Sequence, residues 1–407
     1  MISVITPTHN PEHLDRVYES LLKQTCKDFE WVVVPNGDAA VMLPNEDWIR
    51  IEPFIEKSNL IGEIKNFAFN QGKGDWLLEL DHDDELFPTA IESIIEHAGD
   101  NDFLYSDCWE VNEKGETINY NPEHGWKYED FDGKKINKSW PVFPQMLSRI
   151  WYAPNHLRAW KADFYREIGG HDKTLKALDD QDLMCRTYIK GKMKQIPKVL
   201  YKYNFHSGNS FSSNELNQWI QDHTLEMHDK YITPLMERWC EINRLGKVDL
   251  CGGHNPPKGY TSVDILNGDV HWNLDIENWP FEDGSVGIVR ASDALEHLKC
   301  PIKTMKEIHR ILAPGGMLLS HTPSTDGRGA FQDPTHKSFW NSNSFWYYTR
   351  KETAAYINTP VRFQATRVKN YFPSEWHQQH NILYVEAHLT ALKGGNEWEY
   401  CCGPIEI

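Results

Sequence analysis

The sequence predicts an α/β protein of two successive domains, and three observations carry that prediction. Strand-like and helix-like segments alternate from the first residues onward. A second alternation starts afresh near Lys247, after a long helical stretch. The chain has 407 residues, too many for one ordinary core, where domains run to about 100–200 residues each.

The elements follow in order. Residues 3–6 read as a buried strand. Asn10 before Pro11 supplies an N-cap and a first-turn proline, and Leu14, Val17, Leu21 and Leu22 then share a helical face. Residues 30–34 form a second strand, ended by Pro35-Asn36-Gly37. Residues 76–80 form a third, ended by an acidic cluster, after which Pro88 opens a helix with Ile91, Ile94 and Ile95 inward. Residues 216–245 are helical and lead into a strand at 247–251. Residues 286–290 are a strand, 302–312 a helix, 314–316 a turn and 317–322 a strand. The expected domains are 1–245 and 246–407, divided at Gly246.

Composition excludes some functions. With 40% hydrophobic and 25% charged residues the chain is ordinary for a globular protein. A formal net charge of −17 argues against nucleic-acid binding, which usually leaves a basic footprint. It also means that an anionic substrate needs a metal ion or a few local cations. No apolar run approaches the roughly 18 residues of a membrane span. Met1 leads directly into a strand with no secretory leader pattern. The eight cysteines are scattered except for Cys401-Cys402, in neither a disulfide nor a zinc spacing. A reducing cytoplasm is the expected compartment, and nothing bears on oligomeric state. The 16 tryptophans are read as core residues, although aromatic faces also stack on sugar rings.

Leu77-Leu78-Glu79-Leu80-Asp81-His82-Asp83-Asp84 is the most informative segment. Its apolar part makes a central strand, and the C-terminal ends of such strands are where open α/β sheets bind ligands. Crowded carboxylates repel one another unless a cation neutralises them. Oxygen donors suit Mg²⁺ or Mn²⁺, so Asp81 and Asp83 are the candidate ligands. The alternative is a solvated loop in which Asp84 and Glu85 favour the start of the next helix.

Residues 1 to about 215 resemble a family 2 glycosyltransferase with the GT-A fold. Ordered motifs carry the resemblance: Val4-Ile5-Thr6-Pro7-Thr8-His9-Asn10, Pro35-Asn36-Gly37-Asp38, Lys65-Asn66, Lys73-Gly74-Asp75 and Leu80-Asp81-His82-Asp83-Asp84. Ile168-Gly169-Gly170-His171-Asp172 and Asp179-Asp180-Gln181-Asp182-Leu183 complete the set. It implies inverting transfer from a nucleotide-sugar donor to a glycan or lipid-linked acceptor, as in polysaccharide biosynthesis. Pro7, His9, Asn36, Lys65 and Asp81 would then face the donor. Pro35 and Asn36 replace the two acids usual before Gly37, which leaves the nucleotide open.

Sugar transfer needs a base for the acceptor proton. The resemblance points to the pair Asp179 and Asp180, with Asp180 first, while acids in a first helical turn also favour the dipole. Asp182 instead pairs with Arg186 at i,i+4. His206, in the loop after a strand, is a candidate third metal ligand or simply a polar loop residue. Trp151, Asn155, His156 and Trp160 are the expected acceptor contacts.

From residue 246 to about 390 the chain resembles a class I S-adenosylmethionine-dependent methyltransferase, a smaller Rossmann-like domain. Val248-Asp249-Leu250-Cys251-Gly252-Gly253, Ser262-Val263-Asp264-Ile265, Leu274-Asp275 and Leu295-Glu296-His297-Leu298 carry this likeness. Leu312-Ala313-Pro314-Gly315-Gly316 and Asp333-Pro334-Thr335-His336 extend it. Gly252 and Gly253 would let backbone approach S-adenosylmethionine, Asp264 would bind its ribose, and Asp275 would face the adenosine. His336, then His297, is the candidate proton acceptor. Cys251 stands where glycine is usual, and the first crossover is short. Both an active methyltransferase and a degenerate scaffold remain open.

Overall fold

A computed structural model describes residues 1–120, 126–206 and 214–394. The chain divides into two compact units, Met1–Leu235 and one that starts at Met236. The helix Asn214–Asn243 runs through that division, and the next strand begins at Gly246. Cys401-Cys402 and the loop residues Ser207-Gly208-Asn209-Ser210 lie outside the described residues.

In the first unit the strands are β1 (Ile2–Thr8), β2 (Phe29–Pro35), β3 (Ile49–Ile51), β4 (Trp76–Glu79), β5 (Glu85–Leu86), β6 (Phe103–Val111), β7 (Tyr128–Phe131), β8 (Lys134–Asn137), β9 (Arg158–Lys161) and β10 (Met193–Asn204). Their order is β3-β2-β1-β4-β9-β6-β10-β5, with the hairpin β7-β8 joined to β6. Strand β1 runs parallel to β2 and β4, whereas β9 is antiparallel between β4 and β6, a mixed sheet as expected from the GT-A resemblance. Every residue of β2 is buried, as expected of a parallel strand covered on both faces. The order reverses between β1 and β4, so a crevice opens where their C-terminal ends part.

Local signals set the helices. The Asn10 side chain accepts from Glu12 N at 3.2 Å, capping a 3₁₀ turn that runs into the helix Leu14–Leu22. Leu14, Val17 and Leu21 are buried there, but Leu22 is 42% exposed. Ile95 likewise is 45% exposed while Ile91 and Ile94 are buried. Both corrections have one cause: each residue follows an inward position and is rotated about 100° from it.

In the second unit the strands are β11 (Gly246–Leu250), β12 (Thr261–Asp264), β13 (Val270–His271), β14 (Val286–Ser292), β15 (Leu312–Pro323), β16 (Phe363–Tyr371) and β17 (Tyr384–Ala391). Their order is β13-β12-β11-β14-β15-β17-β16, with β17 antiparallel to both neighbours. The reversal between β11 and β14 makes a second switch point. The expected turn at 314–316 lies inside β15, where Gly315 takes φ +80°. Residues 251–260 join parallel β11 and β12 without a helix, so the short crossover is real.

Candidate active site

The C-terminal ends of β1 and β4 face a cavity of about 820 Å³. Pro7, Thr8 and His9 line it from β1, and Asp81, His82 and Asp83 from the chain after β4. Asp179 and Asp180 reach it from the start of the helix Asp179–Lys190. The register explains the middle of the site: Glu79 on β4 lies beside Ile5 on β1 and Arg158 on β9.

Arg158 lines the cavity and Glu79 lies buried beside it, at 1% and 0% exposure. Lys65 Nζ lies 2.6 Å from Glu79 Oε1 and 2.9 Å from Asp180 Oδ1. Arg158 Nη1 donates to Asp180 Oδ2 at 2.7 Å and stands 3.5 Å from Glu79 Oε2. Burial opposes ionisation of Glu79, but Lys65, His156 and Arg158 outweigh it and hold its carboxyl well below the ordinary range. The same contest at Asp180 is won by Lys65 and Arg158, which hold it near about 2.

Asp179 goes the other way. Burial, reinforced by Asp180 and Glu79 against the pull of Lys65, pushes it up to about 7. Its Oδ2 is buried without a hydrogen-bond partner. Two adjacent carboxyls are thus driven apart, the pattern that separates a proton-holding group from an ionised one. His171 Nε2 lies 3.8 Å from both carboxylates. Burial, with the Lys65 charge, pushes that ring down to about 3.

The acid cluster is split by its hydrogen bonds. Asp84 turns inward, accepting from Tyr201 Oη at 2.8 Å and from Asn204 N at 2.8 Å. Burial and the neighbouring Asp83 and Asp81 charges push its carboxyl well up. Asp81 and Asp83 stay on the cavity wall. Burial raises Asp81 to about 6, with Lys65 pulling down and Glu79 and Asp83 pushing up. His206 Nε2 lies 2.7 Å from Asp83 Oδ2.

A divalent cation fits this donor set. Glu79, Asp81, Asp83, Asp84, Asp179 and Asp180 crowd a site where Lys65 and Arg158 are the basic side chains lining the cavity near them. Glu79, His171 and Asp180 bring ligand atoms within 4.8 Å of one another, but Lys65 already neutralises that position. Asp81 and Asp83 also face the cavity, with His156 Nε2 4.0 Å from Asp81 Oδ2 and His206 Nε2 2.7 Å from Asp83 Oδ2.

Other sequence expectations land differently. Asn36 lines the cavity, and its amide is engaged with Ser58, donating to its carbonyl at 2.9 Å and accepting from its N–H at 3.1 Å. Lys65 faces the cavity, but its ammonium is committed to the carboxylates. His9 packs edge-on against His82 with ring centroids 4.9 Å apart. Asp182 pairs with Arg186 at 2.6 Å as expected. Trp151, Asn155 and His156 line the cavity. Trp160 does not: it is fully buried in the core beside Phe69 and Phe103. Glu79, Arg158 and Tyr201 were not singled out from sequence.

In the second unit Gly252 and Gly253 follow β11, Asp264 ends β12 and Asp275 follows β13. A Cβ on Gly252 would stand 2.5 Å from Asp249 Oδ2. Gly253, at φ +57°, has open space beside it. Cys251 has φ +55°, the left-handed region that favours the glycine usual at this place. Asp264 Oδ1 accepts from Leu266 N and, less closely, Asn267 N, holding its own turn. Asp275 Oδ1 accepts from Lys299 N at 2.7 Å. His336 and His297 pack together with ring centroids 5.1 Å apart.

Parts of the chain are similar to known proteins. The family model "Glycosyl transferase family 2" matches residues 3–155, and the model "Methyltransferase domain" matches residues 254–320. An uncharacterized glycosyltransferase of Haemophilus influenzae is 27% identical over 46% of this chain and 61% of its own length. Chondroitin synthase of Escherichia coli is 22% identical over 52% of this chain and 30% of its own. The chain thus spans less than two thirds of either relative. The structure of S. aureus TarS 1-349 in complex with UDP aligns with a TM-score of 0.40 and 19% identity, covering 57% of this chain and 70% of that one. Among the described residues no helix is long and apolar enough to cross a membrane. The chain is thus similar to family 2 glycosyltransferases over residues 3–155 and to methyltransferase domains over residues 254–320.

Proposed function

We propose that the first unit transfers a sugar, with inversion, from a nucleotide-sugar donor to a hydroxyl of a glycan or lipid-linked acceptor. The observation that carries this reading is the excess of buried carboxylate on one cavity wall at a strand switch point. Asp81 and Asp83, with His206 beside Asp83, would hold Mn²⁺ or Mg²⁺. Such an ion supplies charge stabilisation to the departing diphosphate. Pro7 and His9 would line the donor pocket, and Lys65 would fix Glu79 and Asp180 in place.

The pair Asp179 and Asp180 takes the acceptor proton. Asp180 is the more exposed member, with its side chain at 19%, and meets the acceptor. The proton affinity resides in the pair, whose members titrate together. Trp151, Asn155 and His156 would border the acceptor. Synthesis of a surface polysaccharide is the setting we favour, because chondroitin and hyaluronan synthases are among the relatives.

The second unit would bind S-adenosylmethionine at Gly252, Gly253, Asp264 and Asp275 and methylate a hydroxyl. His336, whose Nδ1 is engaged by the Ala330 carbonyl at 2.8 Å, would offer Nε2 as proton acceptor. A degenerate scaffold is the second reading, supported by the engagement of Asp264 Oδ1 with its own turn and by the missing crossover helix. Protein melting decides both. Mn²⁺ with UDP or GDP should raise the melting temperature, and Asp83→Asn should abolish the metal-dependent part. S-adenosylmethionine and its demethylated product should each stabilise the chain; no shift with either favours the scaffold.

A further inference from the structure

Two loops of the second unit are stitched together at the ends of β14 and β15. Lys337 N and Ser338 N both donate to the Glu296 carbonyl, at 2.7 and 3.0 Å, and Ser338 Oγ donates to the Leu295 carbonyl at 2.9 Å. This fastening sets His336 against His297. One ligand atom from each of Glu296, His297 and His336 lies within 4.8 Å of the other two.

The donor atoms are also oriented. His336 Nδ1 lies 2.8 Å from the Ala330 carbonyl, which only accepts, so Nδ1 carries the proton and Nε2 keeps its lone pair. His297 Nδ1 is turned to Thr335, 3.2 Å from its hydroxyl and 3.4 Å from its carbonyl. Glu296 is 2% exposed. One of its oxygens accepts from the Thr322 hydroxyl, while Oε1 is buried with no hydrogen-bond partner. A buried carboxylate oxygen without a donor is costly, and an adjacent cation satisfies it.

We propose that Glu296, His297 and His336 form a site for a divalent transition-metal ion, Zn²⁺ foremost. Two imidazoles and one carboxylate leave a fourth position of a tetrahedral zinc open, whereas Mg²⁺ prefers oxygen donors throughout. Zinc bonds of about 2.0–2.2 Å set ligand atoms roughly 3.4 Å apart. Side-chain adjustment of roughly an ångström therefore completes the site. The nearby Lys337 ammonium lies 3.6 Å from Asp275 Oδ2. The open position takes water or an acceptor hydroxyl, whose pKa a bound metal lowers. In that role His336 holds the ion and does not itself accept the proton.

The test uses the full chain, stripped with a chelator and titrated with Zn²⁺ against a chromophoric competitor, then with Co²⁺ read by visible absorption. Native protein should bind Zn²⁺ and give a tetrahedral Co²⁺ band. His297→Gln and His336→Gln should lose the band and bind at least about 100-fold more weakly, while melting as native apoprotein does. As a measurement free of folding effects, Zn²⁺ should protect His297 and His336 of the native chain from diethyl pyrocarbonate, read by mass spectrometry. Unchanged affinity in both histidine variants, or modification unaffected by Zn²⁺, overturns the proposal.

Discussion

Arg158 and Asp180 form an ion pair at 2.7 Å in which the guanidinium is almost wholly buried. The same guanidinium donates from Nε to the Pro154 carbonyl at 2.9 Å and from Nη2 to the Tyr152 carbonyl at 2.6 Å. It thus ties the β9 strand, the loop before it and the candidate base into one rigid wall. Arg158→Met leaves Asp180 paired only with Lys65 and orphans two carbonyls. Breaking a buried pair on one side costs about 3–5 kcal/mol, so urea unfolding should show a loss of that order. Activity should fall as well, and its acid limb should move to higher pH because Asp180 has lost a stabilising cation.

Tyr201 gives a narrower test. Its hydroxyl donates to Asp84 Oδ2 and accepts from Asp81 N at 3.1 Å, so one side chain fixes both the inward and the cavity-facing acid. Tyr201→Phe removes both bonds and leaves buried polar groups unmatched. A loss of about 1–3 kcal/mol is expected in urea unfolding. Metal affinity should drop with it, since the Asp81 backbone is no longer held.

Gly62 is the second residue of the helix Ile61–Asn70, which carries Lys65, and its place is set by packing, not by a positive φ. A Cβ there would stand 1.9 Å from the Asp172 carbonyl oxygen, and that backbone must move to admit it. Asn66 on the same helix donates to the His171 carbonyl at 2.7 Å, so the displacement reaches His171. Gly62→Ala should lower the melting temperature and reduce kcat, with both effects visible in one purified variant.

Asp179 makes metal-free stability depend on pH with a definite sign. Its folded carboxyl is raised to about 7 from an ordinary value of 3.8, so between those values the folded chain binds more protons than the unfolded one. Its stability contribution is therefore largest below the ordinary value and is lost as pH rises through about 7. Melting in chelator should show this fall, and Asp179→Asn should flatten it. A native curve that Asp179→Asn leaves unaltered would contradict the assignment.

Much of this was legible from the residues alone. The strands and helices were readable because parallel strands buried on both faces are continuously apolar and because Asn10, Pro11 and Pro88 mark helix starts. Asp81, Asp83, Asp179 and Asp180 could be read as well, since acids at a strand end and in a first helical turn are local signals. Glu79 and Arg158 could not. Each looks like a lone polar residue in an apolar strand, and only cross-strand register brings them together. The engagement of Asn36 by Ser58 and of Lys65 by two acids was hidden for the same reason: both are pairings across separate segments. Trp160 misled because it shares a face of β9 with the cavity-lining Arg158, yet packs against Phe69 and Phe103 in the core.

The most direct test of the cation site is Mn²⁺ titration followed by electron paramagnetic resonance, with UDP or GDP present. The native chain should show one tight, nucleotide-dependent Mn²⁺, retained in Glu296→Gln and lost in Asp81→Asn and Asp83→Asn. Tight Mn²⁺ binding that survives both aspartate substitutions would contradict it.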